Sequence, residues 1–203
     1  MTAGGNYLIQ AQQAKARFLT YDQAKIIDKF ALQADEVYIY VNFLCKQYRI
    51  SRQTGDLRYS QSSDWLDGNS YEEVMTLLDL LCDSRDDRFL TGRWKSMTSF
   101  GLMFHRELTE QRRDAFADRI DQAPNAFRQA CLALQGIPTP GADIGYALEL
   151  FDGLRIAIQF WHGDEEFFPQ VRYLWDENAL QYLRYETMYF AVALLQQRIL
   201  EQM

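Results

Sequence analysis

Residues 144–160, IGYALELFDGLRIAIQF, decide the fold class of this chain. Apolar side chains alternate with small or polar ones on both sides of Asp152-Gly153, which is the spacing of β-strands. An Asp-Gly pair between two such runs predicts a two-residue hairpin, because these residues tolerate a positive φ. Val171, Tyr173 and Trp175 continue the alternation. We therefore predict an antiparallel β meander over about 144–175.

A similar alternation occurs earlier in the chain, from Val37 to Phe43. The turn Gln53-Thr54-Gly55-Asp56 lies between two further strand-like runs, and such a cluster of turn residues commonly joins strands. This pattern predicts a three-stranded meander over about 36–60.

Helices are expected before, between and after the two meanders. Ser70 and Glu73 have the spacing of a capping box, and the apolar face that follows predicts a helix ending near Cys82. Another helix is predicted to begin at Thr109 and to run to about Ala123.

The last helix is predicted over about 177–201, with Asp176 as its cap. Its middle is apolar nearly all round, which is typical of a long helix buried between other elements. Helices and hairpins are grouped along the chain, and no repeat or linker separates them. We therefore predict the α+β class, as a single domain over 1–203.

The composition excludes several classes of protein. The chain has 28 acidic side chains against 21 Lys plus Arg, a formal net charge of -7, and residues 129–203 carry ten acids against four bases. This balance argues against binding to a nucleic-acid backbone.

The longest charge-free apolar stretch, Thr187–Gln197, is too short to span a membrane. Three widely spaced cysteines predict reduced thiols and a cytoplasmic location.

The C-terminal third carries a recognisable motif. Trp161 is followed by His162-Gly163-Asp164-Glu165-Glu166-Phe167, and Leu174-Trp175-Asp176 comes soon after. This pattern resembles the DUF3786 family of uncharacterised bacterial proteins, and the similarity covers about 15–200. The chain departs from the family pattern at Phe168, which is inserted before Pro169, and at Gln170, where a second proline is usual.

The resemblance implies no established activity. The family's members are similar in coming largely from anaerobic bacteria, and some carry an added iron–sulfur-type domain, which hints at redox or one-carbon metabolism. The three cysteines of this chain form no cluster of that kind.

The motif is also the densest group of candidate metal ligands. His162, Asp164, Glu165 and Glu166 could hold a divalent cation, since carboxylates suit Mg²⁺, Ca²⁺ or Mn²⁺ and a histidine admits Zn²⁺ or Fe²⁺. Alternatively, the segment is a solvated turn in which Gly163 has a positive φ and Asp164 accepts backbone N–H groups.

Aromatic residues indicate a second kind of site, for a small ligand or cofactor. We expect it between an irregular aromatic segment at 92–105 and the acidic loop at 162–168. Its candidate residues are Trp94, His105, Trp161, Phe167 and Glu186.

Three functions remain open from the sequence. The first is a small-ligand or cofactor-binding accessory protein. The second is a metal-dependent enzyme of the hydrolase type that uses residues 162–166, although no catalytic residue can be named. The third is an interaction module whose acidic C-terminal face binds a partner protein. The sequence indicates no particular oligomeric state.

Overall fold

The α+β class is confirmed by a computed structural model that describes residues 3–100 and 113–203. The described residues form six helices and two antiparallel sheets. The helices are α1 (Ala3–Phe18), α2 (Gln23–Phe30), α3 (Tyr71–Asp83), α4 (Ala115–Gln122), α5 (Pro124–Ala133) and α6 (Tyr185–Gln202). The strands are β1 (Gln33–Ala34), β2 (Tyr38–Phe43), β3 (Lys46–Ser51), β4 (Leu57–Gln61), β5 (Asp64–Asp67), β6 (Trp94–Ser96), β7 (Ile137–Pro138), β8 (Ile144–Phe151), β9 (Leu154–Trp161) and β10 (Gln170–Asp176).

The chain divides into two compact units, each with one sheet. The first unit comprises Met1–Phe89 and Gln181–Leu194, and the second comprises Leu90–Leu180 and Leu195–Met203. Both units therefore take residues from the final helix. The single domain over 1–203 stays a prediction.

The sheet of the first unit has the strand order β1-β2-β3-β4-β5. One face is fully buried, and its side chains are exposed by at most 1%: Ile39, Val41, Phe43, Tyr48, Ile50 and Leu57. The predicted three-stranded meander is present, and the short β1 and β5 extend it on both sides. The sequence pattern missed these two strands because two to four mostly exposed residues leave no alternation of apolar and polar side chains.

Helix α3 begins with the predicted capping box. The Ser70 hydroxyl accepts the Glu73 N–H at 3.2 Å, and the Glu73 carboxylate accepts the Ser70 N–H at 3.2 Å. Burial of Val74, Leu77 and Leu78 then follows from their spacing along one face of the helix.

The sheet of the second unit has the order β6-β10-β9-β8-β7. Asp152 and Gly153 join β8 to β9 with φ values of +50° and +78°, as the predicted hairpin turn requires. Helix α5 covers this sheet through Phe127, whose ring lies 6.5 Å from Tyr146 and 6.4 Å from Phe160.

Of two predicted helix starts, one is wrong and the other is not tested. The final helix begins at Tyr185, eight residues after the predicted 177, so the prediction that Asp176 caps it is wrong. The Asp176 carboxylate accepts the Asn178 N–H at 2.9 Å, but it also accepts the Gly92 N–H at 2.7 Å and thereby anchors the chain before β6. Thr109 lies outside the described residues.

The described helix in that region is α4, which Asp114 caps by accepting the Phe116 N–H at 2.9 Å. Over residues 3–100 and 113–203, none of the helices combines the length and the hydropathy of a membrane span.

Candidate functional site

The acidic loop joins β9 to β10 in the second unit and is held by its own backbone. One Asp164 carboxylate oxygen accepts the N–H groups of Glu166 and Phe167, both at 2.8 Å. The Asp164 N–H in turn donates to the Phe167 carbonyl at 2.9 Å. The backbone N–H groups of Glu166 and Phe167 lower the pKa of Asp164 because they stabilise its charged form. The loop is therefore an ordered turn with an ionised centre.

Gly163 has a different role in this turn from the one predicted. Its φ is not positive. A Cβ at this position would lie 2.8 Å from Cδ of Pro169 and 3.2 Å from the Phe167 carbonyl oxygen. The position needs glycine because the two ends of the loop approach each other closely, which the sequence does not reveal.

The four predicted metal ligands do not form a common site. Nδ1 of His162 lies 2.7 Å from Oδ1 of Asp121 on α4, while Asp164 is engaged by the backbone. Across residues 3–100 and 113–203, no three His, Cys, Asp or Glu side chains come together in a way that could hold a metal ion. The prediction of a divalent metal therefore has no support in this part of the chain.

Two of the predicted ligand residues, Trp94 and Trp161, lie far apart in the second unit. Strand β10 has Trp161 opposite its first residue, Gln170, and Trp94 opposite its last, Asp176. Six residues of strand correspond to about 20 Å, so the two tryptophans lie at opposite ends of the sheet.

The other three predicted ligand residues are in the acidic loop, in α6 and outside the described residues. Phe167 lies in the acidic loop, where it is 49% exposed. Glu186 is exposed in the first turn of α6 and belongs to the first unit. His105 lies outside the described residues. The assignment of these five residues to one site stays a prediction.

A depression of about 470 Å³ lies beside the acidic loop in the second unit. One wall comes from the loop, and the other comes from α4 and from Arg113, two residues before the helix begins. Its lining residues are Arg113, Asp118, Asp121, Gln122, Gly163, Asp164, Glu165, Phe167, Phe168 and Pro169. Four carboxylates and one guanidinium thus surround two phenylalanine rings.

Polar contacts hold the α4 wall of this depression in place. Nε of Arg113 donates to Asp118 at 2.7 Å, and the Arg113 guanidinium lies 5.8 Å from the centre of the Phe168 ring. The pair of His162 with Asp121 connects the loop to α4. Glu165 remains exposed, so a negative charge stays available at the rim.

A second cluster of charged residues, in the first unit, was missed by the sequence analysis. Asp79 on α3 is only 2% exposed, yet it accepts a hydrogen bond from Arg17 at 3.0 Å and another from the Thr187 hydroxyl. Asp83 pairs with the same Arg17 at 2.9 Å and with Arg184 at 2.7 Å. The negative charges of two acids are therefore balanced by the positive charges of two arginines, among α1, α3 and the start of α6.

The two acids of this cluster titrate in opposite directions. Burial raises the pKa of Asp79. Burial also disfavours the charged form of Asp83, but the hydrogen bond and charge of Arg17 outweigh it and lower the pKa of Asp83. The one sequence signal was an acid inside an apolar run, since Asp79 lies between Leu78 and Leu80.

Comparisons with known proteins support the family resemblance. The model of a domain of unknown function, DUF3786, matches residues 22–198. No curated protein and no solved structure matches the chain. Since the family model covers most of the sequence, the chain belongs to the DUF3786 family.

Proposed function

We propose that this protein is a cytoplasmic ligand-binding accessory protein, and that its ligand occupies the depression between α4 and the acidic loop. The ligand class is a cation with an apolar or aromatic body. The observation that carries the proposal is the exposure of two adjacent phenylalanines in a loop with a fixed turn: Phe167 is 49% exposed and Phe168 is 54% exposed.

The ordered turn makes the exposure of these two rings a fixed feature of the loop. The hydrogen bonds to Asp164 fix the backbone up to Phe167, and the close approach of Gly163 to Pro169 closes the loop behind Phe168. Two large rings are therefore kept in contact with water, where covering them with an apolar group gains free energy.

The charges that line the depression favour a ligand of positive charge. Asp118 is neutralised by Arg113, and Asp121 faces His162, whereas Glu165 has no ion pair among the described residues. A cationic group placed near Glu165 gains attraction, and the neighbouring rings favour cations over anions through their π faces.

The rival functions have less support. A metal-dependent hydrolase would need a set of converging ligands, and residues 162–166 do not supply one within the described structure. An interaction module is a closer alternative, because an acidic, open depression with exposed rings also suits a basic side chain of a partner protein. A free small molecule and such a side chain would be recognised by the same chemistry.

The test uses 2-phenylethylamine as a cationic aromatic probe and 2-phenylethanol as its neutral counterpart. NMR titration of the ¹⁵N-labelled protein should shift the amide signals of Gly163, Glu166 and Phe167 with the amine, and far less with the alcohol. Phe168→Ala should weaken the amine about tenfold, since it removes roughly 1.4 kcal/mol of apolar contact.

Matched variants separate the site from the general surface. Leu132 on α5 of the same unit is 49% exposed, close to the 54% of Phe168, and Leu132→Ala should leave binding unchanged. Glu165→Gln should weaken the binding of the amine and leave that of the alcohol unchanged. Glu149→Gln, beside the turn between β8 and β9, should change the binding of neither. Equal shifts with amine and alcohol, or no shift at these amides, would rule the proposal out.

A further inference from the structure

The outer face of the first sheet carries an arginine held between two aromatic rings. Strand alternation buries Ile39 and Ile50 on one face and turns Tyr38 and Arg49 to the other. The Arg49 guanidinium lies 4.3 Å from the centre of the Tyr38 ring and 4.4 Å from that of Trp65. Two aromatic rings therefore pack against the guanidinium and hold it in position.

The N–H donors of this guanidinium are not used within the described part of the chain. Nε of Arg49 is buried and has no hydrogen-bond partner there, and the side chain forms no ion pair with any described residue. The buried Nε is out of reach of an external acceptor, but the two Nη groups of an arginine fixed in position can donate to an acceptor that comes from outside.

A second arginine lies directly beside it. The strand register pairs Arg49 of β3 with Arg58 of β4, so both side chains project from the same face. Like charges in this position repel each other. Asp67, the next residue across the sheet from Arg58, accepts a hydrogen bond from the Asn69 amide at 2.6 Å and makes no ion pair with Arg58.

The remaining charges nearby do not neutralise the pair. Arg58 lowers the pKa of Asp56 through its charge, but the Asp56 carboxylate itself contacts Lys15 at 2.7 Å. Asp35 is engaged by the Tyr40 hydroxyl at 2.8 Å and by backbone N–H groups. Neither arginine therefore has an ion-pair partner among the described residues, and both charges remain available to a ligand.

We propose that Arg49 and Arg58 form a binding site for an oxyanion, a phosphate or a carboxylate group of a small ligand. The planar fork of Arg49 can donate two parallel hydrogen bonds to such a group, and Arg58 supplies a second charge. The site belongs to the first unit and does not depend on the depression proposed above for a cation.

The experiment titrates the protein with phenyl phosphate, inorganic phosphate and benzoate, each at millimolar concentration. The readouts are the Arg Nε–Hε and Trp indole signals in ¹H–¹⁵N spectra. We expect the signals of Arg49 and Trp65 to shift. A response to the two phosphates alone assigns the ligand as a phosphate, and a response to benzoate alone assigns it as a carboxylate.

Variants show whether the arginines carry the binding. Arg58→Gln, at an exposed position, should weaken binding about tenfold, since a charge-assisted contact is lost. Arg49→Lys keeps the charge but removes the planar fork, and it should weaken binding at least as much. Arg119→Gln, an exposed arginine of the second unit, is the control for net charge. If no probe shifts Arg49, or if all three variants bind alike, the proposal is wrong.

Discussion

Asp79 and Asp83 lie one helical turn apart on α3 and accept hydrogen bonds from the same Arg17 nitrogen, at 3.0 and 2.9 Å. The pair is asymmetric, because Asp79 is nearly sealed from water whereas Asp83 is partly exposed and has Arg184 as a second partner. Their shared cation connects α1 to α3 within the first unit.

Asp83→Asn should destabilise the protein by about 2 kcal/mol, because charged hydrogen bonds to Arg17 and Arg184 are lost. Urea unfolding measures this difference. Asp86→Asn is the matched control: Asp86 pairs with Lys29 at 2.9 Å, but its side chain is 90% exposed, so little change is expected. Equal losses in the two variants would show that the cluster adds no more than a surface ion pair.

The two acids should give the stability opposite dependences on pH. The pKa of Asp79 is raised by burial, so its contribution to stability falls as the pH rises from about 3.9, the unfolded value, through the folded pKa. The pKa of Asp83 is lowered, so its contribution is present above about 3.9 and is lost as the pH falls through the folded pKa.

Unfolding free energies measured across this range test both signs. The wild-type free energy of unfolding should decrease as the pH rises above about 4, and Asp79→Asn should remove this decrease. It should also decrease as the pH falls below about 4, and Asp83→Asn should remove that decrease. Parallel pH profiles for the two variants would contradict the assignment.

The cysteines should differ sharply in reactivity. Burial raises the pKa of Cys82 and of Cys131 to about 12, and Cys45 is exposed. At pH 8 a thiol reagent should therefore modify one cysteine quickly in the native protein, and all three only in denaturant. Cys45→Ser should abolish the fast reaction, and a fast phase that survives this substitution would refute the expectation.

The hairpin turn should tolerate only residues that accept a positive φ. Asp152→Val should cost about 1–2 kcal/mol, because a β-branched residue is strained at the φ of +50°. Asp152→Asn should be nearly neutral, since asparagine is common at this position of such turns. Thermal unfolding of the two variants provides the comparison, and similar melting temperatures would speak against a strained position.

The acidic loop should lose its order when the Asp164 carboxylate is removed. Asp164→Ala deletes the acceptor for the N–H groups of Glu166 and Phe167, so hydrogen exchange at both amides should accelerate. Asp164→Ser restores an acceptor and should recover part of the protection. Glu165→Ala is the control, and the same acceleration in this variant would argue against a specific role for Asp164.

The sequence was informative where a local rule decides the structure. The alternation in residues 144–160, the Asp152-Gly153 turn and the capping box of Ser70 each depend on neighbouring residues, and all three are found. The start of the final helix was not predictable, because the Asp176 carboxylate accepts a hydrogen bond from the Gly92 N–H, 84 residues away in the sequence.

In the candidate sites, too, local features were predictable from the sequence and contacts between distant residues were not. That Asp164 would cap its own turn could be expected from the loop residues alone. That Asp121 would face His162, and that Arg58 would lie opposite Arg49, depends on helix placement and strand register. These are properties of the tertiary structure, and no spacing in the sequence encodes them in a readable way.

The way α6 is divided between the units has a consequence for synthesis on the ribosome. The first unit needs Gln181–Leu194 as well as the residues up to Phe89, so an emerging chain holds an incomplete first unit while the whole segment from Leu90 to Leu180 is made. Thr187, which donates to the buried Asp79, arrives only with this late segment. Expression of residues 1–89 alone would leave that acid without Thr187 and Arg184, and the two units cannot be separated by a single cut in the chain.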